Sequence, residues 1–370
     1  MSKGKGLIVL AAGGTGGHLF PAEAIAEKLK QNGYDIQLVC DKRVLSLLEG
    51  AFLKTKTFII TSIAPRSGII NKLINILLLF FSTVKISITF LLNRPKLIMS
   101  FGGYPTLPAA LSAVIFRIPL ILHEQNSSLG QINKLFLPFA KNLLISFPNT
   151  KQISSKYIKK VVLAGLPLRS KIITLINSKK PEKNKKLFKI LVIGGSQGAR
   201  IFSDVIPQAI LNLDQSLQKK IQITQQTRNN LIDGTINTYK KTLCGYQVAS
   251  FFKNIAELYQ QHDLLIIRAG ASSIAELMSF QKAAIVVPFA KAKDNHQYHN
   301  AKFLSDNSKI IFKEENGFSI DWLSNCLKDF LNDQQKIKNI ETSYNAKYTS
   351  IHINAADMIT NFITSTLIQN

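Results

Sequence analysis

Cysteine is scarce in this chain. Only Cys40, Cys244 and Cys326 occur in 370 residues, an odd count without CxxC spacing, so neither a disulfide framework nor a cysteine zinc site is indicated. A reducing, cytoplasmic setting fits that usage. Acid is the second shortage: 22 Asp and Glu stand against 46 Lys and Arg, for a formal charge of +24. HExxH, DxD-like acid pairs and cysteine clusters are missing, so no metal and no cofactor is expected. Neither glycine-rich turn runs on into Gly-Lys-Ser/Thr, which removes a Walker loop. What the chain does have is apolar bulk, 46% of a length sufficient for two domains.

The acid shortage is also local. Residues 1–163 hold 20 Lys/Arg against 6 Asp/Glu, the remainder 26 against 16, and between Glu49 and Glu124 there is no acid but eight Lys/Arg. The same stretch contains the most apolar segment, residues 73–92, which reaches transmembrane length yet holds Lys85 with Asn75, Ser82, Thr83, Ser87 and Thr89. Burying Lys85 at mid-bilayer would cost about 2.5–3.5 kcal/mol on insertion scales. Arg66, Lys72, Arg94 and Lys96 flank it. An amphipathic, interfacial face with a basic rim accounts for both halves of this composition. A helix buried against a sheet and a spanning helix are the alternatives, the second disfavoured because strand patterns continue on both sides. An anionic membrane surface matches the charge better than nucleic acid does, with a lysine-rich coding background as the plain alternative.

In chain order, MSKGKGLIVLAAGG puts two lysines before a short apolar run that ends in glycine, and reads as a first β-strand rather than a signal peptide. GGTGGH follows at 13–18; four glycines there imply a tight strand-to-helix turn with open N–H groups. Pro21 suits a first helical turn, Ala22, Ile25, Ala26 and Leu29 share one face, and Gly33 ends the helix. Residues 36–40 make a second strand, so the unit is a right-handed β-α-β crossover. Strands at 97–100 and 118–123 end in FGGYPTLPAA and HEQN, and ligands of parallel sheets bind at such carboxyl ends. The polar run KKPEKNKK at 179–186 is a linker or exposed loop. After it the pattern restarts, with a strand at 188–193, GGSQGAR at 194–200, a strand at 264–268, GASSIAEL at 270–277, a strand at 284–287 and DNHQ at 294–297. Ser273 and Glu276 have capping-box spacing, and a weak helical pattern over about 351–367 is expected to pack back on the first domain. Two similar doubly wound domains facing one another across a cleft are the simplest reading.

A dinucleotide site is the first rival. Gly14 and Gly16 fit G-x-G and Asp41 stands where a ribose acid would, but Leu19 replaces the third glycine and His18 is bulky. Gly194, Ser196 and Gly198 only loosely imitate a nucleophile elbow. In order and spacing, GGTGGHLFPAEAIA, FGGYPTLPA, HEQN, GGSQGAR, RAGASSIAEL and DNHQ resemble glycosyltransferase family 28, in particular its N-acetylglucosaminyltransferases that convert lipid I to lipid II in peptidoglycan synthesis. The likeness runs from about Leu7 to Ala301.

That resemblance implies an α/β glycosyltransferase-B fold of two Rossmann-like doubly wound parallel-sheet domains. Residues 1–163 would be the acceptor- and membrane-binding domain, joined by a returning helix at about 346–370, and 164–345 the UDP-GlcNAc-binding domain. By the same resemblance Glu276 holds the ribose hydroxyls, Phe252 meets uracil through its main chain, Gln297 reads the sugar hydroxyls, and Ser196 and Arg169 face the diphosphate. Arg268, Ala271, Ser272, Ser273 and Asn126 complete the donor set, with Thr15, Gly16 and Gly17. His18 acts as, or orients, the general base for the C4 hydroxyl of MurNAc. In-line attack would invert the anomeric carbon without a metal. Lys72, Leu79, Phe80, Lys85, Gly102, Gly103 and Tyr104 form the membrane and acceptor side. Thr224-Gln225 stands where the family often has His-Gln, so a role for that histidine does not transfer. The partners implied are UDP-GlcNAc, lipid I, the cytoplasmic face of the inner membrane and other cell-wall synthesis proteins. A related transferase using another sugar nucleotide, and a non-catalytic membrane scaffold, remain open.

Overall fold

A computed structural model of the chain describes residues 4–61, 69–178, 187–195 and 198–368. The chain forms two compact units, residues 1–169 with 351–370, and residues 170–350. Arg66, Ser196 and the run 179–186 lie outside the described residues, as does the side chain of Lys72.

Unit 1 begins with β1 Leu7–Ala11, α1 Gly16–Gln31, β2 Asp35–Asp41 and β3 Lys56–Ile60, followed by α2 Ile69–Leu92 and β4 Leu97–Ser100. It continues through α3 Leu107–Ile115, β5 Leu120–Glu124, α4 Gln131–Phe136, β6 Asn142–Ile145 and β7 Val161–Leu163. All seven strands pair in parallel, in the order β3-β2-β1-β4-β5-β6-β7. LIMS and LILHE are buried throughout, as a sheet covered on both faces requires. Alternation along β1 divides the core: Ile8 and Leu10 meet Leu19, Ile25 and Leu29 of α1, whereas Val9 and Ala11 share the other cluster with Leu79, Ile86 and Phe90 of α2.

α1 starts at Gly16 with Thr15 as its N-cap, so Pro21 lies inside the helix and not in its first turn. Lacking an N–H, it leaves the Gly17 carbonyl without the usual helical donor. At the other end Gly33 N–H bonds to the Lys30 carbonyl (2.9 Å) and Tyr34 N–H to that of Leu29 (3.0 Å), a Schellman closure.

Unit 2 repeats the plan. Its elements are α5 Ser170–Asn177, β8 Phe188–Ile193, α6 Arg200–Leu211, α7 Gln215–Gln218, β9 Ile221–Gln226, α8 Ile232–Tyr239, β10 Gly245–Ala249 and α9 Ile255–Gln261. There follow β11 Leu264–Ile267, α10 Ala271–Phe280, β12 Ala283–Val286, α11 His296–Asp306, β13 Ile311–Phe312, α12 Ile320–Asn332, α13 Gln335–Glu341 and α14 Ala346–Ile368. The six strands are parallel in the order β10-β9-β8-β11-β12-β13. From Ile351 onward α14 belongs to unit 1, where Ile359 and Ile363 enter the α1-side core. The expected capping box at Ser273 and Glu276 is not formed. The N-cap of α10 is Gly270 and no side chain caps it, because the helix begins at Ala271 and puts Ser273 at its third position.

Candidate functional site

Both sheets reverse direction of winding beside their first strand, between β1 and β4 and between β8 and β11. In open parallel sheets, ligands collect outside the strand carboxyl ends at such switch points. Four of the six sequence motifs emerge there: GGTGGH after β1, FGGY after β4, GGSQGAR after β8 and RAGASS from the end of β11.

In unit 1 the turn after β1 is fixed from behind. The buried Asp41 carboxylate at the end of β2 accepts the Gly14 N–H (2.9 Å) and pairs with Arg43. It is thus occupied in shaping the turn, which argues against the ribose role weighed for it. His18, the third residue of α1, bonds through Nδ1 to the Gly13 carbonyl at 2.9 Å. A carbonyl can only accept, so Nδ1 carries the proton and the basic lone pair of the neutral ring is on Nε2. Gly103 adjoins that ring: a Cβ placed on it would stand 3.3 Å from His18 Cε1. A Cβ on Gly102 would likewise stand 3.1 Å from Asn133 Nδ2, and Tyr104 is exposed. Thr15, Gly16 and Gly17 open α1 in the same turn.

The HEQN loop is held by a buried carboxylate that composition and pattern did not single out. Glu124 accepts N–H bonds from Asn126 (3.0 Å) and Gly130 (2.9 Å), and side-chain bonds from Asn133 (2.9 Å) and Asn126 (3.3 Å). Burial raises its pKa against the pull of those donors. Asn126 is therefore turned toward the loop's own carboxylate. The available sequence signal was that Glu124 is the first acid after the long acid-free stretch. Arg169 stacks on Phe20 at 4.3 Å and pairs with Glu49 at 2.9 Å, all within unit 1.

In unit 2 the turn after β8 needs glycine for space: a Cβ on Gly194 would lie 2.3 Å from the Ala199 nitrogen. Arg228, after β9, donates from Nε to the Gly198 carbonyl at 3.4 Å. The amino end of α10 presents Ala271, Ser272 and Ser273, with Glu276 one turn on. Phe252 is buried in the loop after β10, beside an exposed Phe251. Gln297, at the second position of α11, accepts the Phe289 N–H at 3.0 Å through Oε1 and so fixes the loop after β12. Arg268 is buried: it donates to the carbonyls of Val287 (3.2 Å) and Pro288 (3.1 Å) and pairs with Glu315 at 2.8 Å. Burial pushes the Glu315 pKa up, but bonds from Arg268 and the Ala290 N–H outweigh it and hold the carboxyl low. No local sequence signal joins residues 47 apart in this way. Thr224 faces inward, its hydroxyl 2.9 Å from His262 Nε2.

α2 is amphipathic in the reverse of the usual sense. Its inner face carries Asn75, Ser82 and Thr83 among Leu79, Ile86 and Phe90. Its outer face carries Leu73, Ile76, Leu77, Phe80 (60% exposed), Phe81 (65% exposed) and Ile88. Leu79, expected on the lipid side, is buried, because it shares a helical face with Asn75, Ser82, Ile86 and Phe90. Lys85 is exposed, its ammonium 5.5 Å from the centre of the Phe58 ring, and Arg94 donates to the Phe116 carbonyl at 2.9 Å. By length and composition Leu73–Leu92 is long and apolar enough to cross a membrane, and a third of it is buried in the protein. Among the described residues no three His, Cys, Asp or Glu side chains gather as a metal-binding group.

Residues 8–145 match the N-terminal domain of glycosyltransferase family 28, and residues 189–355 its C-terminal domain. A Rickettsia canadensis protein is 39% identical over 88% of this chain and 91% of its own length, and one from Wolbachia pipientis wMel is 34% identical over 91% and 93%. Both are named UDP-N-acetylglucosamine–N-acetylmuramyl-(pentapeptide) pyrophosphoryl-undecaprenol N-acetylglucosamine transferase. The crystal structure of Acinetobacter baumannii MurG superposes with a TM-score of 0.74 at 25% identity, covering 97% of this chain and 99% of that one.

Proposed function

The chain belongs to glycosyltransferase family 28, and from that premise we propose that it transfers GlcNAc from UDP-GlcNAc to undecaprenyl-diphosphate-MurNAc-pentapeptide, giving lipid II and UDP in peptidoglycan synthesis. The observation that carries the reading is the placing of four motifs at the two switch points of two doubly wound sheets.

Within it, unit 2 holds the nucleotide sugar. Glu276 takes the ribose hydroxyls, Phe252 the uracil through its main chain and Gln297 the sugar hydroxyls, while the amino ends of α6 and α10, with Ser196, Ser272 and Ser273, meet the diphosphate. Asn126, Arg169 and the amides of Thr15, Gly16 and Gly17 stay in the donor set of this reading. Arg268, tied to Glu315, serves by setting the shape of the loops around α10. Unit 1 takes the acceptor, with Gly103 beside the ring of His18 and Gly102 beside the Asn133 side chain.

His18 is the base. Its Nε2 accepts the proton of the C4 hydroxyl as the oxygen attacks the anomeric carbon from the side opposite UDP, so the C–O bond to UDP breaks and the configuration inverts. The Gly13 carbonyl steadies the imidazolium that results, through the Nδ1 proton. Charge on the departing diphosphate is met by helix ends and cations, without a metal. The outer face of α2 rests in the cytoplasmic surface of the inner membrane, with Lys72, Lys85 and Arg94 near its anionic headgroups.

UDP release with UDP-GlcNAc and a lipid I analogue tests the whole reading. Release requiring both is expected; release with a different UDP-sugar, or nucleotide binding without turnover, would replace it by one of the two alternatives above. His18→Ala should lower kcat by about 10²–10⁴-fold with UDP affinity unchanged. Unchanged turnover would remove His18 from the base role.

A further inference from the structure

Two buried histidines grip one peptide group. His123, near the end of β5, is 0% exposed, and His352, on α14, is 1% exposed. His123 Nε2 bonds to the Gly165 carbonyl at 3.0 Å, and the Leu166 N–H donates to His352 Nδ1 at 3.0 Å. These are the C=O and the N–H of a single amide, the Gly165–Leu166 bond. Because a carbonyl only accepts and a backbone N–H only donates, the proton of each neutral ring is on Nε2. Gln125 completes the first ring, its Nε2 donating both to His123 Nδ1 (2.9 Å) and to the His123 carbonyl (3.2 Å).

The surroundings leave that amide no second position. The N–H groups of Ala164 and Gly165 both bond to the Ile145 carbonyl, at 3.0 and 3.2 Å. Gly165 has φ +77°, and a Cβ on it would stand 2.5 Å from Ile351 Cγ2. Phe101 and Phe147 lie against the two imidazoles, each with ring centres 5.5 Å away.

The same spot is where both covalent links between the units begin. The chain leaves unit 1 after Arg169 and returns at Ile351. Gly165 packs on Ile351, Leu166 holds His352, and Arg169 is tied to Glu49 and Phe20. We propose that His123 and His352 are positioning residues for the transfer: they clamp the Gly165–Leu166 amide so that both links leave unit 1 from one fixed point, and turnover depends on that clamp. This rests on the reading that unit 2 carries the donor. Loosened links would then reduce productive encounters without touching the affinity of unit 2 for nucleotide.

His352→Leu keeps the volume and deletes the acceptor of the Leu166 N–H; His352→Asn returns a carbonyl oxygen close to the place of Nδ1. In His352→Leu, amide hydrogen exchange over residues 164–169 should rise and kcat should fall about tenfold, with the Kd for UDP within about twofold of wild type. His352→Asn should recover both. A loosened connector with unchanged kcat, or unchanged exchange, overturns the proposal. Imidazole ¹⁵N spectra of the wild-type chain need no variant to fold: His123 and His352 must both carry their proton on Nε2, and a proton on Nδ1 of His352 overturns the clamp. If the wild type releases no UDP, it is the glycosyltransferase reading that fails, and exchange and spectra still decide the clamp.

Discussion

Buried ionisable side chains in unit 1 pull its stability in opposite directions with pH. Burial lowers the pKa of His123 to about 4 and that of His352 to about 3, while it raises that of Glu23, with help from Glu49, to about 8. Below the ordinary histidine value of 6.5 the unfolded chain takes up protons before the folded one, so the histidine contribution is present above 6.5 and lost as pH falls toward 4. For Glu23 the sign reverses: the folded carboxyl stays neutral after the unfolded one ionises near 4.5, so stability is lost as pH rises from there through 8. Glu23→Gln removes only the second effect. Its melting temperature should therefore gain on wild type steadily between pH 5 and pH 8.5; parallel curves for the two proteins would show that Glu23 does not ionise late. None of this was legible in the sequence, where Glu23 reads as one more polar position of a helix and His123 as part of a motif. The same limit applies to Arg268 and Arg169. Composition and motif placed each near a strand end or a linker, but their carboxylate partners, Glu315 and Glu49, are far along the chain and no local pattern announces them.

The glycine turns were readable because each is a local object: an apolar strand, a run that permits close backbone approach, then a helical period. α2 was readable only in half. Its length and apolarity gave a helix, but where both faces of a helix carry large apolar side chains the sequence does not say which of them is buried. The polar residues were satisfied internally, as Thr83 Oγ donating to the Leu79 carbonyl (2.7 Å) and Ser87 bonding Ser112 of α3 (2.9 Å) show. Apolar side chains were thereby left to the outside. Phe80→Glu with Phe81→Glu should consequently cost little folding stability, within about 0.5 kcal/mol for exposed positions. The pair should abolish most binding to anionic vesicles in a flotation assay, and lowering the negative lipid fraction should mimic part of that loss. Retained flotation would put the docking surface elsewhere.

At the scale of the molecule, the chain winds the same sheet order twice and then sends its last helix back. Repetition was visible in the sequence as two glycine turns opening two β-α patterns. The consequence of the return was not, because it is a matter of packing between segments more than three hundred residues apart. Ile359 and Ile363 are fully buried among Ile8, Leu10, Leu19 and Ile25, so the first core is complete only when the last helix is in place. Ile359→Ala and Ile363→Ala should each destabilise the protein by about 2–5 kcal/mol, the range for truncating a fully buried isoleucine. The loss should be confined to one unit. Hydrogen exchange should quicken in residues 7–41 and 97–124, whose strands line that core, and remain unchanged in residues 188–286. Uniform quickening along the whole chain would mean that the two units unfold as one, and the last helix would then stabilise the molecule rather than the unit it completes.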